Sequence, residues 1–149
     1  MKNTTTWALI ADGARAHIVL SEGPDQGLRP ALDHDFAAPH GYDRDAGTDK
    51  PGRGRNPGSG GHSYGHELTW HEYQKERFAK DMAEVVNKAA SQNAFDKLVI
   101  AAPPKALGDL RDHLNKPAQE RLSGEVHKDL THIEKLSELE PHLKDVMVF

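Results

Sequence analysis

TTWALIADGARAHIVL, residues 5–20, is the stretch of sequence that decides the fold. Residues 5–11 are rich in β-forming side chains, and residues 14–20 alternate between apolar and more polar side chains. Between these two runs lies Asp12-Gly13, a dipeptide that supplies the positive φ angles of a tight hairpin turn. The stretch therefore predicts a β-hairpin.

A third strand is predicted at the next apolar run, in which Leu28, Leu32 and Phe36 mark one face. Pro30 lies inside this run and has no backbone N–H to donate to a neighbouring strand. Because proline is tolerated at the edge of a sheet, we expect this strand to be an edge strand or to begin late.

The pattern changes to a helical period of about 3.6 residues after residue 66, and it predicts a helix from about residue 67 to residue 92. Projection at about 100° per residue places Glu67, His71 and Gln74 on the inner face near the helix N-terminus. The inner face therefore becomes polar at this end. The apolar stripe further along consists of Phe78, Met82, Val85, Val86 and Ala89.

Shorter patterns complete the order of elements. Residues 96–102 (DKLVIAA) are typical of a buried central strand, and Pro103-Pro104 can open a helix. A weak alternation predicts a strand around residues 124–127. Two possible capping boxes, Thr131-x-x-Glu134 and Ser137-x-x-Glu140, predict a last helix.

The resulting order, β-β-β-α-β-α-β-α, predicts an α/β fold with a mixed sheet of about five strands and helices on its faces. A length of 149 residues favours one domain over residues 1–149. Residues 38–66, which we call the Gly-rich segment, have no apolar periodicity and are predicted to be one long loop within this domain.

The composition excludes several classes of protein. A formal net charge of -4 argues against a uniformly basic nucleic-acid binder, and the absence of cysteine excludes a disulfide framework and a cysteine nucleophile. The apolar run at residues 7–11 is too short for a signal peptide or a membrane span, so we expect a cytoplasmic protein outside the membrane. No P-loop or dinucleotide fingerprint occurs, and we predict no cofactor.

The Gly-rich segment is the main candidate for a binding surface. It contains eight of the 13 glycines, and its second half has no carboxylate and three basic residues, Lys50, Arg53 and Arg55. Such a backbone offers positive charge and free N–H groups to phosphates. Tyr64 and Trp70 lie close enough in sequence to stack on unpaired bases. These features predict phosphate or RNA binding, although a solvated loop without a ligand has the same composition.

A metal site is an open alternative, for which His62, His66 and His71 are the candidate ligands. His66-Glu67-x-x-x-His71 is one residue longer than the helical HExxH zinc motif, whose two histidines must lie four positions apart. Nothing in the sequence places three ligands on one centre, so we predict no metal.

A metal-dependent nuclease is the second open alternative. Asp12 on the first strand and Glu67 on the first helix could begin a two-metal carboxylate set. Asp129 and Glu134 lie in the last segment but form no recognisable set with them, and no carboxylate ends the strand before Pro103. Asp12 is equally well explained as a turn residue.

Four segments resemble the bacterial host attachment protein family, whose members are described as required for attachment to host cells. They are WALIADGARAHIV (residues 7–19), KPGRGR (50–55), FDKLVIAAPPKALGDLRDHL (95–114) and VHKDLT (126–131). This family in turn resembles the central domain of archaeal and eukaryotic class-I peptide release factors. The resemblance implies a ribonuclease-H-like fold, which has the same order of elements.

In the release-factor domain a basic Gly-rich loop carries Gly-Gly-Gln ahead of a long helix and promotes peptidyl-tRNA hydrolysis at the ribosome. Gly60-Gly61-His62 stands at the corresponding place here, with histidine instead of glutamine. The candidate catalytic residues are Asp12, His62 and Glu67. The resemblance implies a non-catalytic module that binds ribosomal or transfer RNA through the Gly-rich segment. Promotion of host-cell attachment, either directly or indirectly, is the alternative that the family description implies.

Overall fold

The computed structural model describes residues 4–39 and 69–149. The elements in these ranges are β1 (Thr6–Ala11), β2 (Arg15–Ser21), β3 (Arg29–Pro30), β4 (Phe36–Ala37), α1 (Trp70–Ser91), β5 (Lys97–Ala101), α2 (Pro104–Asp112), α3 (Lys116–Arg121), β6 (Leu122–Val126) and α4 (Leu136–Leu143). The predicted α/β class with a mixed sheet is confirmed, and the described part of the chain has six strands and four helices.

The sheet is built around β1, which is buried along its whole length. The strand order is β3-β2-β1-β5-β6, and β4 also pairs with β2. β1 is antiparallel to β2 but parallel to β5, which in turn is parallel to β6. The last residues of β1, β5 and β6 therefore lie at the same edge, which we call the C-terminal edge of the sheet.

Helices cover both faces of this sheet. Successive side chains of a strand point to opposite faces, so Leu9 of β1 packs in the layer of α1, α2 and α3, whereas Ile10 packs against Leu139 and Leu143 of α4. A strand that is covered on both faces is apolar at nearly every position, and in β1 and β5 only the first residues, Thr6 and Lys97, are polar. None of the helices in residues 4–39 and 69–149 is long and apolar enough to cross a membrane.

The prediction of the third strand is wrong in two respects, namely its length and the placing of Leu28, Leu32 and Phe36 on one face. Two separate strands of two residues each, β3 and β4, pair with β2 instead. Leu28 packs in the layer of α4, whereas Leu32 and Phe36 pack against the opposite layer. The backbone bends at residues 31–34, and this bend changes the side of the sheet to which the later side chains point.

The ends of two helices also differ from the prediction. α1 begins after Thr69, which forms a capping box with Glu72. α4 begins after Lys135, which makes no side-chain cap, so both capping boxes predicted for the last helix are wrong. Thr131 lies before α4 and uses its hydroxyl in other hydrogen bonds, described below.

The short helix α3 was not predicted. The side chain of Asn115 caps it by accepting a hydrogen bond from Ala118 N–H at 3.0 Å. At the other end, the guanidinium of Arg121 donates to the carbonyls of Ala90 and Phe95, each at 2.9 Å. α3 therefore ties the last turn of α1 to the beginning of β5.

Candidate nucleic-acid interface

The turn between β1 and β2 is held by the side chain of Asp12. Its Oδ1 accepts hydrogen bonds from the backbone N–H groups of Ala14 and Arg15, both at 2.7 Å. Gly13 does not have a positive φ, so the prediction of a positive-φ turn at Asp12-Gly13 is wrong. The carboxylate makes the turn, as short polar side chains commonly do. The glycine has a different role, because a Cβ at position 13 would lie 2.8 Å from Cγ of Lys75 on α1.

The second carboxylate oxygen of Asp12 connects the turn to the loop between β6 and α4. Oδ2 accepts from the hydroxyl of Thr131 at 3.1 Å and from the guanidinium of Arg15 at 3.5 Å. Burial raises the pKa of Asp12, but the hydrogen bonds from Ala14, Arg15 and Thr131, together with the charge of Arg15, outweigh burial. The pKa of Asp12 therefore lies below its usual value of 3.8, and the group is ionised at neutral pH.

Asp129 lies beside Asp12 because both carboxylates contact the same hydroxyl. Asp129 Oδ1 lies 2.5 Å from Thr131 Oγ1 and also accepts from Thr131 N–H at 2.9 Å. A hydroxyl has one proton and donates to one carboxylate at a time, while Arg15 donates to the same hydroxyl oxygen at 3.2 Å. We call Asp12, Arg15, Asp129 and Thr131 the Asp12 cluster.

The described residues give no support to a metal centre. Within residues 4–39 and 69–149, no group of three or more histidine, cysteine, aspartate or glutamate side chains could hold a metal ion. Glu67, the expected partner of Asp12, lies outside the described residues. Glu134 lines a separate cavity of about 540 Å³ with His17 and Asp35. Burial lowers the pKa of His17 below 6.5, and the charge of Asp35 only partly opposes this, so His17 is neutral at pH 7.

A groove of about 560 Å³ lies at the N-terminal end of α1, and we call it the α1 groove. Ala38 and Pro39 line it, as do Thr69 and Trp70. Residues 40–68 therefore leave and rejoin the described part of the chain at this groove. The full lining is Ala38, Pro39, Thr69, Trp70, Tyr73, Gln74, Arg77, Phe78 and Asp81.

Two aromatic side chains of the α1 groove stack on each other and face solvent. The ring centroids of Trp70 and Tyr73 are 5.8 Å apart with 28° between the planes, and the two residues are 47% and 45% exposed. Their helical turn is fixed by the capping box, in which Glu72 N–H donates to Thr69 Oγ1 at 3.1 Å and Thr69 N–H donates to Glu72 Oε1 at 3.0 Å. The hydrogen bond from Thr69 N–H is the main reason that the pKa of Glu72 is lowered. A firmly capped turn thus presents a flat apolar surface.

Gln74 lies one residue further along α1 and is only 7% exposed. Its predicted place on the inner face of the helix is confirmed, whereas His71, predicted on the same face, is exposed. Neither atom of the Gln74 amide has a hydrogen-bond partner within the part of the chain that the structure describes. The α1 groove therefore combines aromatic faces with one buried amide.

Most of the predicted binding residues lie outside the described ranges. They are Lys50, Arg53, Arg55, Gly60, Gly61, His62, Tyr64, His66 and Glu67. The predicted candidates that the structure describes are Asp12, Trp70 and His71. Sequence reasoning missed Tyr73 and Arg77, although the spacing of Trp70 and Tyr73 by three helical positions signals a shared face.

The fold is similar to that of a solved protein from archaea. Against the crystal structure of archaeal translation termination factor aRF1 the TM-score is 0.52, with 13% sequence identity over 94% of this chain. The chain spans about a third of that protein, since the match covers 34% of its length. At this identity the similarity shows the fold alone. No curated protein matches the chain.

The sequence itself matches a family model whose description is "Protein required for attachment to host cells". The match extends over residues 7–143 and so includes the six strands, apart from the first residue of β1, and the four helices described above, as well as the Gly-rich segment. The resemblance noted from the four sequence segments is thereby confirmed. This chain belongs to the host attachment protein family.

Proposed function

We propose that this host attachment family protein is a non-catalytic RNA-binding module that contacts ribosomal or transfer RNA. The observation that carries the proposal is the exposed, stacked pair of Trp70 and Tyr73 at the groove where residues 40–68 leave and rejoin the domain. Aromatic faces beside a basic, glycine-rich stretch are the combination by which proteins hold single-stranded nucleic acid. The compartment that fits this role is the cytoplasm.

The Gly-rich segment supplies the phosphate contacts in this proposal. Lys50, Arg53 and Arg55 provide the charge, and Gly60-Gly61 lets the backbone approach the sugar-phosphate chain closely. His62 and Tyr64 follow directly and belong to the same contact. The proposed interface therefore consists of a charged part on the segment and an aromatic part on α1.

The similarity to a translation termination factor supports the choice of ribosomal or transfer RNA as the partner. We also assign the fold to the ribonuclease-H-like class, because a β1-β2 hairpin extended by the parallel strands β5 and β6 agrees with that class. In the resemblance to the release-factor domain His62 stands where the glutamine of Gly-Gly-Gln would be, and for this reason we propose a role without peptidyl-tRNA hydrolysis.

The test is co-sedimentation with ribosomes at low and moderate salt. The wild type is expected in the pellet at low salt, and Arg53→Ala/Arg55→Ala is expected to shift to the supernatant. If each arginine contacts one phosphate, the negative slope of log K against log salt becomes less steep by about 1.4 in the variant. Lys97→Ala/Lys144→Ala is the control of equal charge, because both lysines line a cavity with Thr6, at the sheet edge opposite the α1 groove. The proposal would be refuted if the wild type and Arg53→Ala/Arg55→Ala both stayed in the supernatant.

Family membership favours a second candidate function, the promotion of host-cell attachment. We propose that this role is indirect and follows from RNA binding inside the cell. Labelling of intact cells with a membrane-impermeant reagent separates the two routes. An unlabelled protein agrees with the indirect route, and strong labelling would show that the protein acts at the surface.

A further inference from the structure

The buried amide of Gln74 is the feature of the α1 groove that demands an explanation. Buried polar groups in folded proteins almost always have a hydrogen-bond partner. An unpaired group loses its hydrogen bonds with water and forms no hydrogen bond within the protein, which destabilises the fold. Gln74 is 7% exposed, and within residues 4–39 and 69–149 both its Nε2 and its Oε1 lack a partner. Gln74 lines the groove, and its amide carries a donor and an acceptor side by side.

The surroundings of the amide restrict the kind of ligand that fits. The rings of Trp70 and Tyr73 offer flat apolar faces, and Phe78 closes the groove further along the helix. Arg77 and Asp81, which carry opposite charges, also line the groove. A volume of about 560 Å³ lies within the range typical of sites for small ligands. The groove thus suits a flat, uncharged group with polar atoms along one edge.

We propose that the α1 groove binds one unpaired base of the RNA, with the base stacked on the Trp70–Tyr73 pair and its edge hydrogen-bonded to the amide of Gln74. This inference rests on the proposed RNA-binding function and adds the part of the RNA that the described residues recognise. Each of the four bases has a donor and an acceptor next to each other on its edge, so one amide serves all of them. The site distinguishes unpaired from paired RNA, because a base in a duplex has no free face and no free pairing edge.

The experiment measures binding of a single-stranded RNA hexamer of mixed sequence by the fluorescence of Trp70. The other tryptophan, Trp7, is buried against Phe95 and contributes a constant background. The hexamer is expected to change the emission of Trp70, and a hexamer of the same length without bases is expected to bind at least about tenfold more weakly.

Variants of the groove residues test whether the base binds in the α1 groove. Gln74→Leu keeps the size of the side chain but removes the amide, and it is expected to weaken hexamer binding about five- to tenfold. The same variant is expected to raise the urea midpoint, since an unpaired buried amide no longer has to be accommodated, which separates lost binding from lost folding. Tyr73→Ala is expected to weaken binding at least about fivefold. Gln92→Leu is the control, because Gln92 lies exposed at the other end of the same helix.

The outcomes separate this inference from the proposed function. Equal affinity for the two hexamers, with unchanged Trp70 emission, overturns the base site while leaving RNA binding by the segment in place. Hexamer binding that is weakened by Gln74→Leu but not by Arg53→Ala/Arg55→Ala supports the base site and overturns the role of the basic segment. A wild type that binds neither hexamer overturns both.

Discussion

Asp12 connects two distant parts of the chain through one carboxylate. One oxygen holds the backbone of the β1–β2 turn, and the other contacts the hydroxyl of Thr131 in the loop before α4. Thr131 in turn contacts Asp129, so the Asp12 cluster brings together residues that are more than a hundred positions apart in sequence, with a separation of 119 between Asp12 and Thr131. The cluster joins the β1–β2 turn to the loop between β6 and α4 at the C-terminal edge of the sheet.

Replacement of Asp12 tests this role. Asp12→Ala is expected to lower the free energy of unfolding at pH 7 by about 2 kcal/mol, because hydrogen bonds to a charged group are lost. The pKa of Asp12 is lower in the folded protein than its usual 3.8, so its contribution is present above about pH 3.8 and is lost as the pH falls through the folded value. Urea denaturation at pH 7 and at pH 3 or below checks both parts.

The control for Asp12→Ala is Glu84→Ala, which removes an exposed carboxylate of α1 and is expected to change the free energy of unfolding by no more than about 0.5 kcal/mol. A difference between wild type and Asp12→Ala that stays constant down to low pH would contradict an ionic role for Asp12. The turn at Asp12 could be predicted from the sequence, because turn chemistry is local. The contact with Thr131 could not, since it exists only after β6 has paired with β5.

Gly124 and Gly108 differ in the space around them. A Cβ on Gly124 of β6 would lie 2.8 Å from Cβ and 3.1 Å from Cγ1 of Val146, so the C-terminal residues pack directly on the strand backbone. A Cβ on Gly108 of α2 would meet no atom within 4 Å. The first glycine is required for close packing, whereas the second one only weakens its helix.

The two positions form a matched pair of substitutions. Gly124→Ala is expected to lower the free energy of unfolding by about 1–3 kcal/mol, since a methyl group is forced into an occupied space. Gly108→Ala is expected to raise it by about 0.5–1 kcal/mol, because alanine favours the helix. Chemical denaturation of both variants is the measurement. An unchanged stability of Gly124→Ala would mean that Val146 can move away without cost.

Element by element, the sequence predicts best where one period continues over many residues. The hairpin and α1 follow from periods of about two and 3.6 residues, and β5 follows from its continuous apolar run. The strand predicted near residues 28–36 fails because the backbone bends at residues 31–34, directly after Pro30, and this bend interrupts the alternation. The capping box predicted at Thr131 fails because the hydroxyl of Thr131 is used in tertiary contacts, and the one predicted at Ser137 fails because Ser137 lies inside α4 and not before it.

At the scale of the whole molecule, the described residues on either side of residues 40–68 lie at one place. Residues 38 and 39 and residues 69 and 70 all line the α1 groove. The six strands and four helices of the described ranges are complete without residues 40–68. The segment can therefore be exchanged for a shorter connection across the groove.

Replacement of residues 40–68 by a Gly-Ser linker of about eight residues tests this separation. Such a linker has a root-mean-square span of about 16 Å, and the shorter loop changes the free energy of closure by only about 1 kcal/mol in favour of folding. We expect a cooperatively unfolding protein that no longer co-sediments with ribosomes. A variant that fails to fold would show that the replaced residues belong to the core, and the pelleting of a folded variant would contradict the proposed role of the segment.

The candidate site is predictable in part from the sequence. Composition singles out the Gly-rich segment, and the helical projection correctly assigns Gln74 to the inner face of α1. The groove itself could not be predicted. It forms where residues 38 and 39 lie beside the first turn of α1, and no sequence pattern indicates this tertiary contact. The unpaired amide is likewise evident only when the neighbours of Gln74 are known.

The central place of β1 has a consequence for synthesis on the ribosome. β1 pairs on one side with β2, which follows after a short turn, and on the other side with β5, where Thr5 and Asp96 are 91 positions apart. At a rate of about 5–20 residues per second, roughly 5–20 seconds pass before β5 is synthesised. During this interval one edge of β1, which is buried along its whole length in the folded protein, has no partner, and an unpaired edge of this kind favours aggregation. We therefore expect the nascent chain to be most prone to aggregate at the stage when the hairpin has formed and β5 has not yet been synthesised.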